Sequence, residues 1–209
     1  PDTQLRASTL SKVHSFMQEK KNAKVGICGV RLYDDKGQVS RSCSRAPSAS
    51  AYLAHAIGLT KIFPSLGNAM SEWDHSSTRI VDQVIGAFFF VRRNVFLSLG
   101  GFDERFFVYF EEVDFSYRAK NKGWYSAYFY GAEAFHLGGG TSNQVKAKRL
   151  FYSTRSRIQY LFKHFSAPAV AIVLFITLCI EPISRSVFAL SKGSVVLFKQ
   201  NLSAYRMLY

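Results

Sequence analysis

Apolar positions switch between helical and strand spacing along the first 140 or so residues. The stretch from Leu10 to Met17 has the three- and four-residue spacing of an amphipathic helix, and Thr3 or Ser8 is its candidate cap. The segment KVGICGVRLYDDKGQVSRSC, residues 24–43, predicts strand, turn and strand, because DDKG has turn chemistry. The apolar run QVIGAFFFVRR, residues 83–93, predicts a buried central strand. This alternation predicts an α/β fold.

The pattern continues with shorter elements. Asn94 is the candidate cap of a brief helix, and a second helix is predicted over residues 111–122, where Gly123 stops it. The segment WYSAYFY, residues 124–130, predicts another strand. Residues 46–81 are the least regular part and predict a short helix followed by a long polar loop. Long loops of this kind often shape a binding site.

The composition changes after residue 142, so we predict a domain over residues 1–142 and a helical tail over residues 143–209. The beginning of the tail is basic and has no acidic residue up to position 166. The apolar run that follows is interrupted at Glu181 and Pro182, short of the roughly 20 residues that span a bilayer. We therefore expect helices that lie in a membrane interface. The alternative is a helical hairpin packed on the domain with a solvated basic face.

The net charge limits the classes of partner. The 209 residues carry a formal charge of +13, which favours an anionic partner such as a phosphorylated substrate, nucleic acid or an acidic membrane surface. Nucleic acid is the least favoured, because the cations adjoin an apolar helix and no nucleic-acid-binding motif is present. Three cysteines without CxxC spacing predict free thiols rather than a disulfide scaffold or a zinc site.

Carboxylates cluster around an aromatic run in this basic chain. The cluster consists of Asp103, Glu104, Glu111, Glu112 and Asp114. Complementing the dipole of the helix that begins near residue 111 would explain the last three. Alternatively, neighbouring aromatic surface lowers the local dielectric, raises a carboxyl pKa and produces a general base, and aromatic faces also suit sugar rings.

The segment HLGGGTS, which begins at His136, permits two interpretations. The histidine follows one helix and one strand, a path that can return the chain to the same sheet edge, where imidazole and carboxylates could ligate a divalent metal. A structural histidine is the alternative. Gly138 and Gly139 either permit a tight turn or let backbone N–H groups approach an anionic group, although the P-loop pattern is missing.

Residues 86–142 resemble a known family. The segment GAFFFVRRNVFLSLGGFDERFFVYFEEVDFSYRAKNKGWYSAYFYGAEAFHLGGGTS is similar to the C-terminal half of family 2 glycosyltransferases with the Rossmann-like GT-A fold, particularly the rhamnosyltransferase-like enzymes. The opening PDT is similar to the end of the family's Asn-Pro-Asp-Thr segment, which stands where related enzymes carry a metal-binding DxD motif.

This resemblance implies a reaction. A nucleotide-diphosphate sugar, with rhamnose as a candidate sugar, gives its glycosyl group with inversion to a lipid-linked saccharide in bacterial surface polysaccharide synthesis. The implied location is the cytoplasmic face of the bacterial inner membrane. Such a transfer needs a base for the acceptor hydroxyl and a divalent cation, Mg²⁺ or Mn²⁺, for the leaving diphosphate.

The resemblance also implies roles for individual residues. Glu112 matches the catalytic base and Glu111 the neighbouring acid that positions the acceptor or the base, while Asp2 and His136 match the metal ligands. Asp114 falls on the next acidic position, for which support of the helix start is the alternative to contact with substrate. The implied substrate-binding residues are Gly86, Asp103, Phe107, Tyr109, Asp114, Gly138 and Gly139.

The family's N-terminal half, which holds the nucleotide-base pocket, has no counterpart in these residues. We therefore expect little or no transferase activity from the 209 residues alone. The alternative function is a non-catalytic truncated relative that binds a membrane or a glycan.

Overall fold

The computed structural model describes residues 2–138 and 146–208, and the chain forms two compact units. The first unit comprises Pro1–Ala46, Asn68–Glu104 and Glu111–Gly140. The second comprises Pro47–Gly67, Arg105–Phe110 and Thr141–Tyr209, so it adds two earlier segments to the predicted tail.

The described residues form eight strands and eight α-helices. The strands are β1 Thr3–Leu5, β2 Val25–Tyr33, β3 Val39–Ser40, β4 Cys43–Ser44, β5 Arg79–Val81, β6 Gln83–Val84, β7 Phe90–Val91 and β8 Tyr125–His136. The helices are α1 Thr9–Gln18, α2 Ala49–Ala56, α3 Arg93–Ser98, α4 Glu111–Asn121, α5 Lys146–His164, α6 Ala167–Phe175, α7 Glu181–Ser191 and α8 Val195–Arg206. The mixture of strands and helices confirms the predicted α/β class.

A mixed sheet organises the first unit around the parallel pair β2 and β8. Its order is β1-β8-β2-β3, with β5 also antiparallel to β8 and β7 antiparallel to β2. The register of β8 shifts between Phe129, which is opposite Val30, and Glu133, which is opposite Arg31. The bulge between them bends the strand, as extra residues in a ladder do.

The apolar run 83–93 differs from its prediction. It contains the two-residue strands β6 and β7 instead of one central strand, and residues 85–89 lie between them. Its side chains nevertheless alternate between two cores, with Phe88 and Phe90 in one and Phe89 and Val91 in the other. Burial on both faces explains the continuous apolar run, but apolarity alone does not determine how many residues form ladder hydrogen bonds.

Local turn chemistry accounts for some of the element ends. The predicted hairpin is confirmed, and Asp34 Oδ1 accepts hydrogen bonds from the backbone N–H groups of Lys36 and Gln38 at 2.9 and 2.8 Å. Gly123, at φ 84°, follows α4 as predicted. The cap prediction for Asn94 is wrong, because the N-cap of α3 is Arg92. The guanidinium of Arg92 instead donates to the carbonyl of Val25 at 2.7 Å.

The long tail helix also differs from its prediction. The helix does not end where Glu181 and Pro182 interrupt the apolar run, because a π-helical turn, Ile176–Ile180, joins α6 to α7. A π turn relieves the crowding that proline causes in the preceding turn. Within the described residues, the resulting run Ala167–Ser191 is long and apolar enough to cross a membrane, judged by length and composition alone. The predicted break at Lys192 and Gly193 is confirmed, since Ser194 caps the next helix.

Candidate active site

The acid pair of α4 follows a backbone segment in a rare conformation. Tyr109 and Phe110 have φ values of 65° and 70°, in the left-handed region. Each such residue costs about 1–2 kcal/mol when it carries a side chain, and residues in this state cluster at functional sites. Glu111 follows directly and begins the helix.

Glu111 and Glu112 present carboxylate oxygens without partners. The Oε2 atom of each is buried and has no hydrogen-bond partner within residues 2–138 and 146–208. Burial, and secondarily the charge of Glu111, raises the pKa of Glu112 to about 7. A carboxyl group with that pKa can accept a proton near neutral pH, which is what a general base requires.

Asp114 has a different environment in the same first turn. Its side chain is fully buried, and its Oδ2 accepts a hydrogen bond from Arg118 Nε at 2.7 Å. The guanidinium of Arg118 also donates to the backbone carbonyls of Leu99 and Gly101 at 2.8 and 2.9 Å. This network fixes the start of α4 to the glycine turn, so it favours the helix-supporting role over contact with substrate.

Strand pairing brings the two predicted metal ligands together. Thr3 lies opposite His136 in the β1–β8 ladder, and Leu137 N–H donates to the Asp2 carbonyl at 2.9 Å. His136 Nε2 is then 3.5 Å from Asp2 Oδ2. Within the described residues, no group of three or more His, Cys, Asp or Glu side chains is arranged to hold a metal ion. Two protein ligands still suit a cation that keeps waters and binds substrate phosphates.

The acid pair, Glu111 and Glu112, and the predicted metal ligands, Asp2 and His136, lie in different elements of the first unit. Glu112 lies at the amino end of α4, which packs on β8, and His136 lies at the carboxyl end of β8. No hydrogen bond or ion pair joins Glu112 to His136 in the described part of the chain. Their meeting at one sheet edge stays a prediction.

The predicted glycines have contrasting surroundings. A Cβ at Gly86 would have open space around it, so crowding does not require glycine there. Gly138 has φ 65°, which favours glycine, and a Cβ there would be 3.9 Å from the His136 ring. Gly139 lies outside the described residues.

The remaining predicted contacts lie around the aromatic segment. The Phe107 side chain is 77% exposed, and its ring centroid is 5.3 Å from that of Tyr152 in the second unit. An exposed ring is able to stack on a sugar. Asp103 is only partly exposed. Its predicted contact with a substrate stays a prediction, as does that of Tyr109.

An ion pair near His136 was not predicted from the sequence. Arg31 donates to Glu133 at 2.8 Å, and its guanidinium lies 4.3 Å from the centroid of the Tyr130 ring. Single charges in two separate strand segments do not signal such a pair, because the register shift of β8 sets Glu133 opposite Arg31.

Comparisons with known proteins identify relatives, although no family model matches the chain. Over 142 aligned residues, the chain is 31% identical to the N-acetylglucosaminyl-diphospho-decaprenol L-rhamnosyltransferase of Mycobacterium tuberculosis. The aligned region covers 66% of this chain and 45% of that protein. Over 122 aligned residues, it is 23% identical to the low-salt glycan biosynthesis hexosyltransferase Agl10 of Haloferax volcanii. That aligned region covers 58% of this chain and 35% of that protein. The chain thus spans less than half the length of these relatives. The similarities support a glycosyltransferase family.

Proposed function

We propose that this chain is the acceptor-side part of an inverting family 2 glycosyltransferase with the GT-A fold. It serves transfer of a sugar, with rhamnose as the candidate, from a nucleotide-diphosphate donor to a lipid-linked saccharide. The proposal rests on the environment of Glu112. Its Oε2 atom is buried and has no hydrogen-bond partner among the described residues, and its pKa is about 7. The named relatives, a rhamnosyltransferase and a hexosyltransferase, support the reaction class.

Glu112 acts as the base in this proposal. Its ionised carboxylate takes the proton of the acceptor hydroxyl as that oxygen attacks the anomeric carbon and the nucleoside diphosphate leaves. Glu111 keeps the acceptor oriented and, through its charge, helps hold the pKa of Glu112 near 7. The left-handed backbone at Tyr109 and Phe110 directly precedes the acid pair, and such strain is common at functional sites.

The first test replaces Glu112 with Gln in the natural protein that carries these residues. Loss of a general base is expected to lower kcat by about 10²–10⁴-fold. Wild-type kcat should fall as the pH drops below about 7, because protonation removes the base. Glu104→Gln is the matched control, since Glu104 is an exposed carboxylate of the same cluster. Undiminished turnover of Glu112→Gln would remove Glu112 from the mechanism.

Asp2 and His136 are the proposed ligands of a divalent cation, Mg²⁺ or Mn²⁺. Their Oδ2 and Nε2 atoms are 3.5 Å apart and provide a mixed oxygen and nitrogen pair. A bound cation would neutralise charge on the leaving diphosphate. Asp2 is also held through its backbone carbonyl, which accepts from Leu137. The chain therefore keeps the carboxylate beside the imidazole without help from the metal.

The metal prediction is tested with His136→Ala. The Mn²⁺ concentration for half-maximal turnover should rise about tenfold or more, and direct Mn²⁺ binding measured by electron paramagnetic resonance should weaken in parallel. His14→Ala is the control, because His14 is an exposed histidine on α1. Identical Mn²⁺ binding in wild type and His136→Ala would exclude His136 as a ligand.

The second unit provides membrane association at the cytoplasmic leaflet in this proposal. Its support is the exposure of large apolar side chains along the tail, for example Ile172, Phe175, Ile183 and Leu190. The cations of α5 suit anionic lipid headgroups.

A further inference from the structure

The second unit contains a cavity of about 650 Å³ that the proposed reaction does not use directly. Its walls come from the end of α2 with the turn after it, from α7, and from α8. The volume is in the range of about 300–1,000 Å³ that is usual for small-molecule sites.

Most of the cavity wall is apolar and continues onto an apolar surface. Ile57, Ile183 and Val187 line the cavity, and their side chains are 60, 66 and 61% exposed. Exposed branched side chains of this kind are costly in water, so their clustering around a cavity indicates a ligand with an apolar part. That part can extend out of the cavity along the exposed apolar helices.

The polar end of the cavity has more positive than negative charge. Glu181 is its carboxylate, but Arg157 already binds both carboxylate oxygens of Glu181 at 2.7 and 2.9 Å. Tyr205 also donates to Glu181 Oε2 at 3.3 Å. Glu181 is therefore largely neutralised from its inner side, and the cations on the cavity side are in excess.

Those cations are Lys61 and Arg185. Lys61 Nζ is 5.0 Å from the centroid of the Phe188 ring, and no acidic side chain within the described residues forms an ion pair with this lysine. Arg185 forms an ion pair with Glu181, whose Oε2 is 3.9 Å from its Nε and thus beyond hydrogen-bond distance, and the Arg185 side chain is 37% exposed. An anionic group between these side chains would be a closer charged partner for both cations.

His55, on the same wall, reports the charge of the cavity. Partial burial lowers its pKa, and the cations Arg185, Arg157 and Lys61 act in the same direction while Glu181 opposes them. A bound anion would raise the pKa of His55. The imidazole is thus a spectroscopic probe of occupancy that does not depend on turnover.

We propose that this cavity binds the diphosphate end and the first isoprenoid units of the lipid carrier that bears the acceptor saccharide. Lys61 and Arg185 contact the diphosphate, and the apolar wall contacts the chain. The choice of carrier rests on the proposed function, in which the acceptor is lipid-linked. Ordinary membrane phospholipid and free diphosphate share part of this chemistry, and the experiment separates them.

Farnesyl diphosphate is the probe, titrated into the full chain in detergent micelles. Lys61→Ala and Arg185→Ala are each expected to weaken its binding about tenfold, because each removes one charge-assisted contact. Lys192→Ala is the control, since Lys192 is an exposed lysine of the same unit that does not line the cavity. Lys61 is exposed, so its removal does not endanger folding. The pKa of His55, measured from the pH dependence of its NMR resonances, should rise when farnesyl diphosphate binds.

Equal affinity for farnesyl diphosphate and inorganic pyrophosphate would overturn the proposal, as would equal affinity for farnesol. Equally effective competition by phosphatidylglycerol in the micelles would also overturn it, because the cavity would then be a general phospholipid site. Unchanged binding in both Lys61→Ala and Arg185→Ala has the same consequence. Glu112→Gln should bind farnesyl diphosphate like wild type. If Glu112→Gln loses turnover while Lys61→Ala and Arg185→Ala bind farnesyl diphosphate normally, the cavity inference is refuted and the proposed function is not.

Discussion

Glu112 and Asp114 show how a carboxylate's partner decides its chemistry within one helical turn. Asp114 is fully buried, but Arg118 satisfies its charge and converts it into a structural group. Glu112 is buried at Oε2 without a comparable partner, and its pKa rises to about 7. Burial with an ion pair stabilises the charged form, whereas burial without one favours the proton. The same contrast separates a structural acid from a candidate base.

The raised pKa of Glu112 predicts a pH dependence of folding stability. The folded pKa of about 7 lies above the ordinary value of 4.5, so the folded chain binds more protons than the unfolded chain between these values. The free energy of unfolding should therefore fall as the pH rises from about 4.5 to 7, by up to roughly 3 kcal/mol. Glu112→Gln should remove this dependence in urea unfolding at pH 5 and 8, and Glu104→Gln should retain it. An unchanged slope in Glu112→Gln would show that another group causes it.

At the scale of elements, α5 and α7 are joined by a buried ion pair rather than by apolar contact alone. Glu181 is 2% exposed and accepts two hydrogen bonds from Arg157, whose guanidinium also lies 5.2 Å from the centroid of the Tyr52 ring. A charge in this position would be expensive without its partner. The pair therefore fixes how α7 continues after the π turn and holds it against α5.

Double substitution tests this assignment. Arg157→Met alone leaves Glu181 buried without its bidentate partner and should lower the free energy of unfolding by about 3–5 kcal/mol. Arg157→Met combined with Glu181→Met should recover most of that loss, because no buried charge remains. Urea unfolding measures both variants. A double variant as unstable as Arg157→Met would show that packing, not charge, accounts for the effect.

At the scale of the whole molecule, the two units differ in how they expose apolar side chains. The second unit exposes a series of large apolar residues in its described segments, including Ile62, Phe63, Ile172, Phe175 and Val196, each more than half exposed. The helix that carries two of them is long and apolar enough to span a bilayer by length and composition, and it belongs to a unit with a basic helix. These properties suit a membrane surface, which is why we propose that location.

Vesicle binding tests the membrane proposal. The chain should bind vesicles that contain phosphatidylglycerol, and binding should weaken as salt concentration rises, because the screened charges contribute to it. The double substitution Ile172→Ser and Phe175→Ser should weaken binding about tenfold or more through loss of apolar burial. Leu10→Ser with Leu97→Ser is the control, since both leucines are exposed in the first unit. Equal losses in the two double variants would argue against a dedicated membrane face.

The sequence by itself determined the features that depend on near neighbours. Helical spacing, turn residues and the glycine after α4 located α1, the hairpin and α4, since these signals act within a few residues. The acid cluster and its aromatic neighbours also predicted a general base in this segment, and the resemblance to family 2 glycosyltransferases implied that the base is Glu112. The confirmed free thiols of the described chain followed from cysteine spacing alone.

Only the tertiary structure decided the features that depend on distant parts of the chain. Pairing of β1 with β8 sets Asp2 beside His136 across more than a hundred residues, and the register of β8 brings Glu133 to Arg31. The left-handed backbone at Tyr109 and Phe110 could not be predicted from the sequence, because tyrosine and phenylalanine rarely adopt that conformation. The continuation of the helix through Pro182 likewise depends on a π turn. Contacts between segments that are distant in the sequence stabilise each of these features. The pattern of residues within a short stretch does not reveal those contacts.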